Sequence, residues 1–304
     1  MVERYEQQGV VWIDAENPTP EEIETIAQEF NLAPLLSQEL LAPTLKPRVD
    51  LYPDLAFFVL HFPASRHTHG SASAQEVDIV LGKGFMVSVH YDTIAAIYDL
   101  SRSFEAAMLL HKNSGKFHSG HVLFELAQRL YQEVEYELDA IEDSISVIES
   151  AIFSGRERDM VAAISGVSRE LLNQKRSLAT HADILGLLEQ SGPALFGETF
   201  KTYLRGVSAF HFRAQNRVLA LTDTVVELRK TNDSLLNAHQ NEIMKNLTIM
   251  AFVTYPLTLV AGLFGMNTTY TPIVGLPNGF WIISALMVVL GVVFFLYFKL
   301  KRWF

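Results

Sequence analysis

A polar cluster sits where the sequence is otherwise almost wholly apolar. From Asn246 to Phe298 there are 53 consecutive residues without an Asp, Glu, Lys or Arg, and inside that stretch Gly265, Met266 and Asn267 directly follow an apolar run. Upstream of them, Asn241, Met244, Thr248, Ala251, Tyr255 and Thr258 recur at alternating spacings of three and four, which puts them on one side of a helix. None of these side chains is charged, so the chemistry they offer is that of neutral oxygens: amides, hydroxyls and backbone carbonyls. Small and polar residues on one face of an apolar helix serve either a neighbouring helix or water. The polar close of the run at Gly265-Met266-Asn267 favours water.

The elements that would hold these groups follow from length and composition. A bilayer core of roughly 30 Å takes about 20 apolar residues in a helix. The uncharged stretch divides into two such pieces, Leu247 to Phe264 and Phe280 to Phe298, and we expect both to span a membrane. Lys245 precedes the first, Lys299, Lys301 and Arg302 follow the second, and the connector Thr268 to Gly279 carries no basic residue. The positive-inside rule then places both termini in the cytoplasm and the connector outside. The start, "MVERYEQQGV", has no apolar h-region, so no cleavable signal is expected. A single helix encloses no conduit, nor do two, so a water-lined stripe requires several subunits in a closed ring.

Ahead of the spans the charge balance reverses. All 34 acidic residues, but only 21 of the 24 basic ones, lie before Asn246. "GVVWID", "LAFFVLHF" (Leu55 to Phe62), "EVDIVL" (Glu76 to Leu81) and "FMVSVHY" (Phe85 to Tyr91) read as strands. "TPEE" at Thr19 to Glu22 is a capping box opening a helix to about Phe30. From about Gly120 the pattern is helical: one helix to about Phe153, a break at "SGRER", and a second helix to about Gln190, stopped by Gly192-Pro193. No Gly or Pro occurs between Gly206 and Pro256, so one helix of about 50 residues is expected to run on into the membrane. Its seam is Leu204, Val207, His211, Ala214, Val218, Leu221, Val225, Leu228, Asn232 and Leu235, again spaced three and four.

Phe264-Gly265-Met266-Asn267, preceded by "NEIMKNLTI" and "YPLTLVAG" and followed by an apolar helix and "KLKRWF", resembles the CorA family of divalent-cation channels. The resemblance extends upstream through "NPTPEEI", "FVLHFP" and "EVDIVLGKGFMVSVH". It implies an α+β membrane protein with a cytoplasmic α/β domain over 1–118, a helical hairpin and stalk helix over 119–245, and a two-span transmembrane domain over 246–304 with an external loop at 268–279. It also implies a homopentamer, a cytoplasmic funnel, and Mg2+ as the transported ion, with Co2+ and Ni2+ as candidate cargo. By the same resemblance Gly265, Met266 and Asn267 form a selectivity ring at the external mouth. Asn241 matches a polar ring, Met244 and Leu247 match an apolar constriction, and Thr248, Ala251, Tyr255 and Thr258 continue the pore lining. Lys299, Lys301 and Arg302 match a basic collar, although positive-inside anchoring explains them equally well. The ZntB-like branch of the fold moves Zn2+ and usually replaces the Met of the tripeptide by another aliphatic residue, so Met266 points to magnesium. A membrane-anchored sensor or scaffold that conducts nothing would need neither Asn267 nor the stripe.

Two stretches depart from the family pattern. The loop segment "TPIVGLP" has no acid, and Phe210 to Leu221 has Arg213 and Arg217 where stalk aspartates would hold regulatory magnesium. Eight acids instead crowd Glu125 to Glu149, read either as a reservoir for cations or as a solvated helix face. His67-Thr-His69 and His118-Ser-Gly-His121 lack a third ligand at a telling spacing. The chain has no cysteine, which excludes disulfides and thiolate sites. Neither a phosphate-binding glycine loop nor a nucleophile motif is present, so no enzyme is expected, and the net negative charge argues against nucleic acid.

Overall fold

The computed structural model describes residues 1–44, 46–64, 74–109, 118–267, 273–274 and 276–301. It opens with a hairpin, β1 (Val2–Gln7) and β2 (Val10–Glu16), turning at Gln8 and Gly9 with φ of +48° and +80°. Two successive positive φ values match the twist of the flanking strands, and Gly9 adopts the second without a Cβ penalty. Strand β1 was not expected, because "VERYEQ" has no apolar run. It is a charged edge strand in which only Tyr5 is fully buried.

Helix α1 (Pro20–Phe30) has the expected cap: the Glu22 amide donates to Thr19 Oγ1 at 3.3 Å and the Thr19 amide to Glu22 Oε2 at 2.8 Å. A short α2 (Pro34–Glu39) and strand β3 (Arg48–Leu51) follow, both unexpected, and then β4 (Leu55–Phe62), β5 (Gln75–Gly82) and β6 (Phe85–His90). The strands form one sheet in the order β1-β2-β6-β5-β4-β3, parallel only between β2 and β6. Ile13, Phe57, Val59, Val80 and Val87 on one face pack with Ile23 and Ile26 of α1, Leu36 of α2 and Leu40 just after it. On the other face Trp12 meets Phe104 of α3 (Ala95–Leu109), a helix not expected from the sequence, and Phe62 meets Tyr131 and His181.

Helices α4 (Ser119–Phe153) and α5 (Glu157–Leu178) form the expected hairpin. The expected continuation to Gln190 is instead divided at Ala179-Thr180, and α6 (His181–Phe196) runs through Gly192 and Pro193 to a cap at Gly197. Gly192 does not stop the helix but makes room: a Cβ there would lie 3.0 Å from the Phe200 ring. Gly206 behaves likewise, since its Cβ would come within 2.5 Å of Phe124, and α7 therefore starts early and runs over 67 residues, Glu198–Phe264. Nine of the ten seam residues are buried and Leu235 is half-buried. Last is α8 (Gly279–Leu300). The chain forms two compact units, Met1–Arg229 and Lys230–Phe304.

Candidate ion-conducting site

In the second unit, α7 and α8 are both long and apolar enough to cross a membrane. Along this part of α7 the buried and half-buried positions include Ile249, Val253, Pro256, Val260 and Phe264, one face repeating every three or four residues. Phe252 meets Phe298 of α8, a buried residue, with ring centroids 6.4 Å apart. The stripe singled out from the sequence lies on the side away from Ile249, Val253 and Val260. Asn241, Met244, Leu247, Tyr255 and Thr258 are exposed, Tyr255 to 74%, while Thr248 and Ala251 are half-buried.

The stripe's two threonine hydroxyls are already oriented. Thr248 donates to the Met244 carbonyl at 2.8 Å and Thr258 to the Thr254 carbonyl at 2.9 Å. Each hydroxyl proton is thus spent on the helix, which leaves oxygen lone pairs to accept from water. Pro256 has no amide hydrogen, so the Phe252 carbonyl loses its donor four residues on.

Helix α7 ends at Phe264, and the Gly265 amide closes the last turn on the Ala261 carbonyl at 2.9 Å. A Cβ at Gly265 would sit 2.9 Å from that same oxygen, closer than side-chain carbons are found, so this turn accepts only glycine without moving backbone. Met266 and Asn267 follow, both exposed, at the rim of the helix end. Across the connector, a Cβ at Gly279 would lie 2.4 Å from the Ile273 carbonyl, so α8 starts with equally close backbone packing. Lys299 and Lys301 are exposed at the end of α8; Arg302 and Thr268 to Pro272 lie outside the described residues.

The first unit resolves the other candidates. Glu135, Asp139 and Glu142 of the acidic helix α4 converge on Arg217 of α7: Nη1 donates to Glu135 at 2.8 Å, and Nη2 donates to Glu142 at 2.7 Å and to Asp139. Hydrogen bonding to Glu135, and then to the other two acids, pushes the guanidinium pKa up against the effect of burial. This cluster was missed from the sequence, although the i, i+4, i+7 spacing of the three acids was visible. Elsewhere, Glu133 is raised in pKa by burial.

His118 and His121 are structural residues. His118 Nδ1 accepts from the Gly120 amide at 2.9 Å, and His121 Nδ1 accepts from the His118 amide at 3.2 Å while its Nε2 meets the Tyr203 hydroxyl. His67 and His69 lie outside the described residues. Among the described residues, no group of three or more His, Asp or Glu is placed to hold a metal ion. A buried pair escaped notice: His181 accepts from Tyr131 at 2.8 Å and donates to the His61 carbonyl at 3.2 Å, and His211 donates to the Leu178 carbonyl at 2.9 Å. Burial, reinforced by neighbouring His211, lowers the His181 pKa to about 3. On β5, burial and the nearby Glu76 raise Asp78 to about 8.

A family model described as a CorA-like Mg2+ transporter protein matches residues 7–302. The chain belongs to that family. Its relatives include the cobalt/magnesium transport protein CorA of Thermotoga maritima, 26% identical over 285 residues, covering 92% of this chain and 79% of the relative. The solved structure of the CorA magnesium transporter from Methanocaldococcus jannaschii superposes with a TM-score of 0.83 at 21% identity, covering 97% of this chain and 92% of that one. The cytoplasmic domain of ZntB from Vibrio parahaemolyticus matches more distantly, with a TM-score of 0.61 at 14% identity over 76% of this chain and 90% of that one. Membership in the CorA family makes the chain a membrane transporter protein and not an enzyme.

Proposed function

We propose that this CorA-family chain is one protomer of a homopentameric channel that admits Mg2+ to the cytoplasm, with Co2+ and Ni2+ as further cargo. The observation that carries this reading is the stripe of neutral groups, Asn241 to Thr258, mostly exposed and lying on the side of α7 away from Ile249, Val253 and Val260. Such a face needs copies of itself to enclose water. Met244 and Leu247 would form an apolar neck that gates by dewetting, and Gly265, Met266 and Asn267 a ring at the external mouth. Mg2+ gives up its water reluctantly. A ring of neutral oxygens that accepts hydrogen bonds from the ion's water shell can therefore recognise the hydrated ion and still release it.

Both termini lie in the cytoplasm in this reading, with residues 1–118 and 119–245 as cytoplasmic domain and stalk and 246–304 in the lipid. Lys299, Lys301 and Arg302 form the inner collar. A membrane potential of ~100 mV contributes about 2.3 kcal/mol per charge, which drives a divalent ion inward without a coupled reaction.

The test is ion flux into proteoliposomes holding the full chain, with an entrapped indicator, comparing wild type with Asn267→Ala. Mg2+ uptake that falls sharply in the variant supports the proposal. Absence of flux for any divalent ion overturns the channel, and Zn2+ flux without Mg2+ flux overturns the choice of ion.

A further inference from the structure

The basic residues at the ends of the two spans are not spread evenly round their helices. On α7, Lys245, Ile249, Phe252 and Pro256 recur at spacings of four, three and four, so Lys245 continues, one turn beyond Ile249, the side of the helix whose Phe252 meets Phe298 of α8. On α8, Met287, Gly291, Phe294 and Phe298 are half-buried or buried positions of one side, again four, three and four apart, and Lys301 lies three residues further along it. The Lys301 amide donates to the Tyr297 carbonyl at 3.1 Å, so the helical path still holds at that residue.

As successive crossings of one bilayer the two helices run in opposite directions, so residues before Phe252 on α7 lie beside those after Phe298 on α8. Lys245 and Lys301 thus close the two facing rows at the same end, about 6 Å apart in level at 1.5 Å per residue. Like charges so placed repel each other. No acid offsets them: among the described residues neither lysine side chain makes an ion pair or a hydrogen bond. The second unit holds two acids, Asp233 and Glu242. Glu242 is exposed and unpaired with Lys245 although it lies three residues before it, and Asp233 is more than three turns back. Lys299, by contrast, stands exposed on a different side of α8, about 200° round from Lys301.

From this geometry we infer that Lys245 and Lys301 together bind the phosphate of an anionic phospholipid, in a site between the cytoplasmic ends of α7 and α8. The inference rests on the reading above in which both helices span the membrane with these ends inside. Phospholipid phosphates form a layer where a helix leaves the bilayer, and basic pockets between spans on the cytoplasmic side take up such headgroups. Each ammonium group brings three donors, so two lysines hold one phosphate from two sides and lose their mutual repulsion in doing so. A zwitterionic headgroup fits less well, because its own cation competes with the lysines. Positive-inside anchoring asks only for charge and treats Lys245, Lys299 and Lys301 as interchangeable, whereas this site sets Lys299 apart.

The experiment is native mass spectrometry of the full chain, solubilised in detergent, stripped of lipid and titrated with phosphatidylglycerol or with phosphatidylcholine. The wild type should bind phosphatidylglycerol about tenfold more tightly than phosphatidylcholine. Lys245→Gln and Lys301→Gln should each weaken phosphatidylglycerol binding by about fivefold, the effect of one lysine at a phospholipid surface, and Lys299→Gln by less than about twofold. Lys245→Arg, which keeps the charge, should keep the affinity. Equal losses in all three Gln variants overturn the site in favour of general surface charge, and a wild type without preference for phosphatidylglycerol overturns it outright. Displacement of the lipid by millimolar inorganic phosphate overturns the lipid as the ligand. Helix content and particle mass check each variant; if Lys245→Gln does not assemble, Lys301→Gln against Lys299→Gln decides by the same criterion. Alkaline carbonate that strips the full chain from vesicles would mark failure of the membrane reading, whereas a chain that stays inserted and shows no lipid preference would mark failure of the lysine site alone.

Discussion

Helix α7 carries two stripes built on the same three-four spacing, and the two have opposite fates. Leu204 to Leu228 are buried within their own chain, while Asn241, Met244, Leu247, Tyr255 and Thr258 stand exposed. Periodicity alone therefore names a face but not its partner. Composition separates the two: eight of the ten seam residues are apolar, whereas the second stripe mixes amide, hydroxyl, thioether and methyl groups. An apolar face is satisfied by any apolar neighbour, and α4 and α5 supply one. A mixed face gains little from burial against lipid or against one further apolar helix, and in the channel proposed above it would meet copies of itself and water.

Substitutions in the two stripes should thus break different properties. Leu204→Ala removes a fully buried side chain and is expected to cost ~3 kcal/mol of stability, read from urea unfolding of the solubilised protein followed by helix signal. Leu247→Ala or Met244→Ala should change that stability by less than ~0.5 kcal/mol, as for exposed positions generally, while altering ion flux. A large stability loss from either stripe variant would mean that the stripe packs within its own chain. At the end of the stripe, Gly265→Ala drives a methyl group against the Ala261 carbonyl and must reshape the last turn of α7. We expect flux to fall about tenfold, since conduction depends on ring geometry, with the unfolding curve little moved.

Much of the second unit was legible in the sequence, because membrane spans are read from composition, which needs no knowledge of the partner. The first unit was read less evenly. Strands β4, β5 and β6 announced themselves as apolar runs, since they are covered on both faces. Strand β1 did not, because an edge strand can be charged and still pair. Gly192 misleads in the sequence, where with Pro193 it reads as a helix stop, yet it is a point of close approach to Phe200, as Gly206 is to Phe124. Sequence shows that a side chain is missing but not whether the reason is backbone freedom or a neighbour's bulk. The Arg217 cluster was hidden for a related cause, since its acids and its arginine are 75 to 82 residues apart. Each half looked like an ordinary solvated charge until the helices were laid side by side.

Only one of the two regions should answer to pH. The second stripe has no titratable carboxyl or imidazole, whereas the first unit holds His181 and Asp78, which are shifted in opposite senses. His181, lowered from 6.5 to about 3, stays neutral in the fold while the unfolded chain takes up a proton, so stability is lost as pH falls from about 6.5 towards 3. His181→Gln should cost ~1 to 2 kcal/mol at pH 7 through its bonds to Tyr131 and His61, yet show a flatter decline in acid. An acid limb as steep as in the wild type would place the titrating group elsewhere.

Asp78 gives the reverse effect. Burial first, and then the charge of Glu76, hold its carboxyl protonated up to about pH 8, against hydrogen bonding from Tyr91 and the attraction of Arg48. The unfolded carboxyl ionises near its ordinary 3.8, so between there and about 8 the fold binds the extra proton, and its stability declines as pH rises through that window. Asp78→Asn keeps the shape and removes the ionisable proton, and so should be indistinguishable from the wild type near pH 4 and more stable than it at pH 8. Unfolding curves at the two pH values decide it: an equal shift at both would reflect packing alone. Because Asp78 lies in the sheet, its substitution should leave Mg2+ flux at either pH as it was, and a pH-dependent change in flux would show that the two regions are coupled by more than the helix they share.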